Sequence, residues 1–168
     1  MLYELTNPPF TKMLHNLLAI LDKGAQFADS KKIDMEVLLN SRLAPDQFPL
    51  TRQIQIACDT AKLCAHRLTG KEVPSHADTE KTLAEIKARI ESTIAVLEKF
   101  TTADYKDAAN KHITQPRWEG QYLTGEEYVL HHAVPNFYFH VTTAYAILRH
   151  NGVDIGKKDY LGKLPLKK

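Results

Sequence analysis

The sequence predicts an all-α protein, an up-down four-helix bundle that forms a single domain over residues 1–168. Apolar residues recur with helical spacing in four long segments, and each segment has its own start and stop signals. Strand-like alternation is limited to the region 111–123. The length of 168 residues and the hydrophobic content of 43% are those of one ordinary globular domain.

The first predicted helix is capped by Thr6 or Asn7 and carries Pro8 in its first turn, where a missing N–H costs nothing. We expect it to end near Ala28, before a short helical turn at Met35–Leu39. Its inward-facing residues are Phe10, Leu14, Leu17 and Leu21.

The second predicted helix runs from Pro49 to about Thr69, and Gly70 ends it. The middle of its inward stripe is made of unusually small residues. Such a stripe either lets helices approach closely or leaves a pocket, and both alternatives stay open at this stage. The stripe consists of Leu50, Ile54, Ala57, Ala61, Cys64 and Leu68.

The third predicted helix runs from an Asp78 cap to about Phe100. Its outer face pairs opposite charges four residues apart, as Lys81 with Glu85 and Glu85 with Arg89, which predicts a solvent-exposed surface. Its inward-facing residues are Leu83, Ile86, Ile90 and Leu97.

A long loop or small hairpin is expected between residues 104 and 124, before the last helix. That helix opens with a capping box, Thr124-Gly-Glu-Glu127, and closes at Asn151-Gly152, a pair typical of a left-handed C-terminal cap. Pro135 should kink or restart the helix, because proline removes one backbone hydrogen bond and crowds the preceding turn.

Composition excludes several classes of partner. The formal charge of +2 is spread along the chain and gives no field that would attract nucleic acid or an anionic membrane. No apolar run is long enough to cross a membrane, and the first residues do not resemble a secretion signal. We interpret Cys58 and Cys64 as free, buried thiols in a reducing compartment, and expect a cytoplasmic protein.

The candidate site lies on the last helix. Asn136 and His140 lie one turn apart, and His140 and Tyr145 flank the apolar stripe of that helix. On the second helix, Gln53 falls inside the apolar stripe and must find partners. We therefore predict a ligand pocket formed by Gln53, Asn136, His140 and Tyr145. Arg52, Asp59 and Lys62 are interpreted as surface groups of the second helix.

The pair Asn136-x-x-x-His140 occupies the spacing of an H-x-x-x-H metal pair, with one imidazole replaced by a carboxamide. Neutral amide oxygens are poor ligands for zinc, nickel or copper. We therefore expect no bound cofactor. If a divalent metal is held at all, His140 with His132 is the predicted ligand pair.

Two stretches, FPLTRQIQIACDTAKLCAHRLTG and PNFYFHVTTAYAILRHNGVDIGKKDYLG, resemble a bacterial and fungal family of uncharacterised proteins related to the DinB/YfiT-like superfamily. The resemblance is most specific in PNFYFH, AYAILRHNGV and GKKDYLG, and covers nearly the whole chain. It implies a four-helix bundle with unusual connections and a divalent ion held by three histidines. Aligned on ILRHNGV, two of those histidines fall at Asn136 and His140, and only the second is present here.

Three functional hypotheses follow. The leading one is a bundle that binds an unidentified small polar molecule in a degenerate DinB-like metal site. A second is a divalent-metal-dependent hydrolase or thiol transferase, as the resemblance implies. The third is a non-catalytic interaction module. Related bundles often pair through helix faces, so a homodimer is expected.

Overall fold

In the computed structural model, which describes residues 1–167, the chain folds mainly into α-helices, as predicted. No helix in this range is long and apolar enough to cross a membrane. The helices are α1 (Leu2–Lys31), α2 (Met35–Leu39), α3 (Leu50–Thr69), α4 (Leu83–Leu97), α5 (Gly125–Tyr128), α6 (Val134–His150) and α7 (Lys157–Leu161).

Helix α1 begins earlier than predicted, at Leu2, and the proposed cap residues lie inside it. The hydroxyl of Thr6 donates to the carbonyl of Leu2 (2.7 Å) instead of capping a helix start. Pro8 and Pro9 are tolerated because the carbonyls that lose a partner belong to Glu4 and Leu5, whose side chains face solvent.

Helix α3 has the predicted bounds, and Gly70 ends it with a left-handed φ of 81°. The structure decides between the two interpretations of its small residues. Ala57, Ala61 and Cys64 are fully buried in the core, so the stripe serves close helix packing. Both cysteines are free and buried, as predicted.

Helix α4 is shorter than predicted. It begins at Leu83 and is capped by the side chain of Thr82, which forms a capping box with Glu85. Asp78 was predicted to be this cap, but its carboxylate binds Arg52 and Arg89 instead. An ion pair with two guanidinium groups thus replaces the weaker capping interaction at that position.

Contacts along α1 show how the long helices run. Asn7 donates to the carbonyl of Leu97 at the end of α4 (3.0 Å), while Asp22 pairs with Lys87 nearer the start of α4. Helices α1 and α4 are therefore antiparallel.

Helices α1 and α6 run in the same direction. The rings of Phe10 and Phe137, near the starts of the two helices, lie 4.2 Å apart. Further along both helices, Gly24 faces the side chain of Leu148.

Helices α3 and α4 also run in the same direction, so the expected up-down alternation does not extend to this pair. Asp59 binds Arg89 midway along both helices, and beyond their ends Lys71 lies over the ring of Phe100. The segment 70–82 must therefore run back along the bundle. At about 3.3 Å per extended residue it can span roughly 43 Å, more than the roughly 30 Å length of α3.

The small hairpin expected before the last helix is present. Strand β1 (His112–Ile113) pairs antiparallel with β2 (Leu123–Thr124). The last helical stretch opens at the predicted Thr124–Glu127 capping box and ends at Asn151, followed by Gly152 with a left-handed φ of 98°. A π-helical turn at Val129–Ala133 precedes Pro135, and its wider spacing accommodates the hydrogen bond that proline cannot make.

Candidate functional site

An open cleft of about 460 Å³ lies between α3, α6 and the hairpin region. Because α3 has 3.6 residues per turn, one face of it supplies the floor of the cleft while the adjacent face supplies the small residues of the core. The cleft is lined by Phe48, Arg52, Ile56, Asp59, Thr60, Leu63, Arg67, Gln115, Pro116, Arg117, His132, Asn136 and His140.

His140 and Gln53, predicted to share a site, are in direct contact. Nε2 of Gln53 donates to the carbonyl of Phe48 (3.0 Å), so Oε1 of Gln53 is the acceptor that faces His140. Nδ1 of His140 therefore donates to Oε1 across 2.6 Å, which leaves Nε2 as the unprotonated nitrogen. Burial, aided by the charge of Arg52, lowers the pKa of His140 to about 4, so the ring is neutral at pH 7.

Asn136 also lies in the cleft, but its partner is a different residue of α3. Nδ2 of Asn136 donates to the hydroxyl of Thr60 (2.7 Å), one turn of α6 away from the contact between His140 and Gln53. These contacts show that α3 and α6 are antiparallel. The sequence-predicted residues Asn136, His140 and Gln53 are thus brought close to one another.

Tyr145 is not brought into this group. Its hydroxyl lies 3.5 Å from the carbonyl of Ile155, and its ring packs edge-on against Tyr160 of α7. The side chain is therefore used to attach α7 to α6. The helical angle between positions 140 and 145 could not reveal this contact, because it depends on where the chain goes after α6.

The other end of the cleft contains two arginines. Nη1 of Arg67 donates to the phenol oxygen of Tyr128 (2.9 Å), and burial raises the pKa of Tyr128 to about 12. Nη2 of Arg117 donates to Nε2 of His132 (2.7 Å). Both guanidinium groups thus bind neutral partners. Within residues 1–167, neither has a carboxylate within 4.0 Å.

His132 is held in one orientation by aromatic rings. Tyr128 stacks on it with a centroid separation of 5.4 Å, and Trp118 meets it edge-on. Because Nε2 accepts from Arg117, the proton of the neutral ring is on Nδ1, which is buried without a partner among residues 1–167. Burial and then the charges of Arg117 and Arg67 lower the pKa of His132.

The remaining charges at the cleft are paired. Arg52 binds Asp78, and Asp59 accepts from Lys62 (3.0 Å) and Arg89 (2.8 Å). Lys62 was predicted to be a surface group, and this is wrong: it is buried, and Nζ of Lys62 lies 2.6 Å from Nδ1 of His76 in the returning segment 70–82. Arg52 and Asp59 are only partly exposed.

Arg89 was predicted to lie on a solvent-exposed face of α4, and this is wrong. Its side chain is 1% exposed and binds Asp59, Asp78 and Glu80. The carboxylates of Asp78 and Glu80 belong to segment 70–82, which the i,i+4 charge pattern of α4 could not place.

The donors near His140 do not suit a transition metal. The three polar side chains supply one imidazole and two amides, and the amide groups of Gln53 and Asn136 are engaged with His140 and Thr60. Among residues 1–167, no cluster of three or more His, Cys, Asp or Glu side chains could hold a metal ion. A site of this kind lacks the imidazole and thiolate donors that such ions prefer.

Comparison with known proteins agrees with this architecture. The model of a family described as a domain of unknown function, DUF1993, matches residues 2–161. The chain belongs to the DUF1993 family. The DUF1993 chain is also 60% identical to a DinB family member protein from Shewanella denitrificans, whose crystal structure it matches with a TM-score of 0.97, over 100% of this chain and 96% of that one. No match is found among curated proteins.

Sequence reasoning missed two arginines of the DUF1993 cleft, Arg67 and Arg117. Arg67 follows Arg52 and Ile56 on one face of α3, and that spacing was visible in the sequence. Arg117 gave no such signal, because it lies in the irregular segment between β1 and β2. Only the fold of that segment over α3 and α6 brings the two arginines together.

Proposed function

We propose that the protein binds a small organic anion in the cleft between α3 and α6. The observation that carries this proposal is the pair of guanidinium groups of Arg67 and Arg117, whose side-chain partners among residues 1–167 are the neutral groups of Tyr128 and His132. Guanidinium groups are well suited to carboxylate and phosphate, because their donors match two oxygens at once.

The electrostatics of the cleft support an anion over a cation. The carboxylate of Asp59, which lines the cleft, already accepts from Lys62 and Arg89. The two histidines of the cleft are neutral at pH 7, so its positive charge comes from the arginines. In the part of the chain that the structure describes, no carboxylate lies within 4.0 Å of Arg67 or Arg117, so a bound anion would meet their positive potential.

Polar neighbours can orient such a ligand. Nε2 of His140 carries a lone pair, and the amide of Asn136 retains its oxygen as an acceptor after donating to Thr60. Both groups accept hydrogen bonds, so a ligand that carries a hydroxyl or amide N–H beside its anionic group fits them.

Titration with inorganic phosphate, followed by calorimetry and by thermal shift, tests the proposal. Arg67→Gln and Arg117→Gln should each weaken phosphate binding roughly tenfold, because each removes a charge-assisted hydrogen bond. Arg149→Gln is the matched control: Arg149 lies on α6 and does not line the cleft. Equal phosphate binding by all four proteins would place any anion site elsewhere.

In the DinB-like bundle that we propose, the up-down alternation is that of two antiparallel helix pairs, α1 with α4 and α3 with α6.

The homodimer and the cytoplasmic location predicted from the sequence stay predictions. Light scattering that gives the mass of a monomer at high protein concentration would contradict the homodimer.

A further inference from the structure

The two ends of the cleft are too far apart for one small anion to bridge them. Arg52 and Arg67 lie fifteen residues apart on α3, which corresponds to about 22 Å along the helix axis. Their partners confirm the separation: Arg52 binds Asp78 at the start of α3, whereas Arg67 binds Tyr128 near its end. A ligand that fills the cleft must therefore be elongated.

Between these ends the floor of the cleft is apolar. Ile56 and Leu63 lie two turns apart on the cleft face of α3 and are only half-buried, whereas neighbours such as Ala57 and Cys64 are fully buried. Within residues 1–167, neither Ile56 nor Leu63 belongs to the side chains packed against the core. They therefore present apolar surface to the cleft that burial by a ligand would stabilise.

Further apolar groups continue this floor. Pro116 lines the cleft from the hairpin region, and Phe48 lines it at the Arg52 end while remaining 53% exposed. The ring of Phe48 lies 5.8 Å from the guanidinium carbon of Arg52. The apolar surface thus extends from beside Arg67 to Phe48, roughly parallel to α3.

From this arrangement we infer that the ligand is an amphipathic small molecule: its anionic group binds Arg67 and Arg117, and an elongated apolar body lies over Leu63 and Ile56. This inference rests on the proposed function and specifies its ligand class. Leu63 and Ile56 are separated by about 10 Å along the helix, so a body of several methylene groups is needed to contact both.

A series of alkyl phosphates tests the inference. Inorganic phosphate and the methyl, butyl and octyl monoesters are titrated by calorimetry below their micelle-forming concentrations. Each methylene group that is fully buried strengthens binding by up to about fourfold, and an open cleft should retain about half of that free energy. The Kd should therefore fall with each added group until the chain has passed Ile56.

Substitutions at Leu63 and Ile56 test whether these residues contact the apolar part of the ligand. Leu63→Asn and Ile56→Asn should flatten the dependence of the Kd on chain length, so their effect should be smallest for inorganic phosphate and largest for octyl phosphate. Leu5→Asn is the matched control, because Leu5 is also partly exposed, at 44%, but lies on α1 and does not line the cleft. Octanol, which lacks the anionic group, should bind far more weakly than octyl phosphate.

The outcomes separate this inference from the proposed function. If phosphate and all its esters bind with equal affinity, the apolar body is wrong and the anion site stands. If octanol binds as tightly as octyl phosphate and Arg67→Gln changes neither, the anion site is wrong. If none of these compounds binds, both proposals fail. A chain-length dependence that persists in Leu63→Asn and Ile56→Asn would overturn the assignment of the floor.

Discussion

The two sides of helix α3 differ in how their positively charged side chains are paired. On the side that faces α4, Arg89 and Lys62 are buried and bound to the carboxylates of Asp59, Asp78 and Glu80. On the side that faces the cleft, Arg67 is partly exposed and Arg117 is exposed, and among residues 1–167 both bind neutral groups. Arginine thus serves a different purpose on each side of α3.

The difference shows how a charged side chain that stabilises the fold can be distinguished from one that is available to bind a ligand. A buried guanidinium costs several kcal/mol to desolvate, so a fold keeps it only with nearly complete pairing. A partly exposed guanidinium stays hydrated and can exchange water for a ligand. The Arg89 cluster (Arg89, Lys62, Asp59, Asp78 and Glu80) fastens segment 70–82 to the bundle, whereas Arg67 and Arg117 remain available.

The largest expected effect concerns metal binding at the cleft. Structural zinc sites yield about 10–16 kcal/mol over four ligands, so restoring two imidazoles should add roughly 5 kcal/mol to zinc-binding free energy. The double substitution Gln53→His and Asn136→His should therefore retain zinc through dialysis, measured by elemental analysis, whereas the wild-type protein should not. A stoichiometric zinc or nickel ion in the wild type that disappears in His140→Ala would contradict this.

The next effect tests the buried side of α3. Arg89→Met should lower the free energy of unfolding by about 3–5 kcal/mol, because it leaves Asp59, Asp78 and Glu80 without their shared cation. Urea denaturation measures the change. Lys87→Met is the control on the same helix: its exposed pair with Asp22 should contribute less than about 1 kcal/mol. Equal losses in both variants would show that the Arg89 cluster is not structural.

A smaller effect is expected at the boundary between core and cleft. His140→Ala should lower the free energy of unfolding by roughly 1–3 kcal/mol, because Oε1 of Gln53 loses its donor in a mostly buried site. His150→Ala, at the exposed end of α6, is the control and should melt like the wild type. A His140→Ala protein with an unchanged melting temperature and unchanged phosphate binding would leave His140 without a role.

The smallest effect is the pH dependence of stability. The pKa values of His76, His132 and His140 are all lowered, chiefly by burial, so the unfolded chain binds protons more readily than the folded protein does. The contribution of these three histidines to the free energy of unfolding is complete above the pKa of about 6.5 that they have in the unfolded chain, and it declines as the pH falls. For His140 the decline continues to a pKa of about 4 and amounts to roughly 1 kcal/mol at pH 5.5.

Denaturation between pH 7.5 and 5 measures this dependence, a range in which the carboxylates stay ionised. His140→Gln should reduce the slope, because its side chain does not titrate. If stability instead rises as the pH falls through this range, the folded protein binds protons at these histidines more readily than the unfolded chain does, and the prediction is wrong.

The sequence by itself determined the helical class, the bounds of α3, the capping box at Thr124 and the left-handed end at Gly152. These features depend on neighbours within one or two turns, so local periodicity and capping chemistry predict them. The proximity of His140 to Gln53 was predicted for a related reason: both interrupt apolar stripes that must face a common core.

Only the tertiary structure decided the direction of α4, the burial of Arg89 and the convergence of Arg67 with Arg117. Each depends on the path of an irregular segment, 70–82 or the hairpin region, whose residues have no period from which a face could be assigned. A charged helix face can lie against solvent, but it can equally lie against a returning segment that carries carboxylates, and the charge pattern alone does not distinguish the two. The long-range contacts of such segments therefore determine that charges are paired on one side of α3 and that the cleft on the other side stays open.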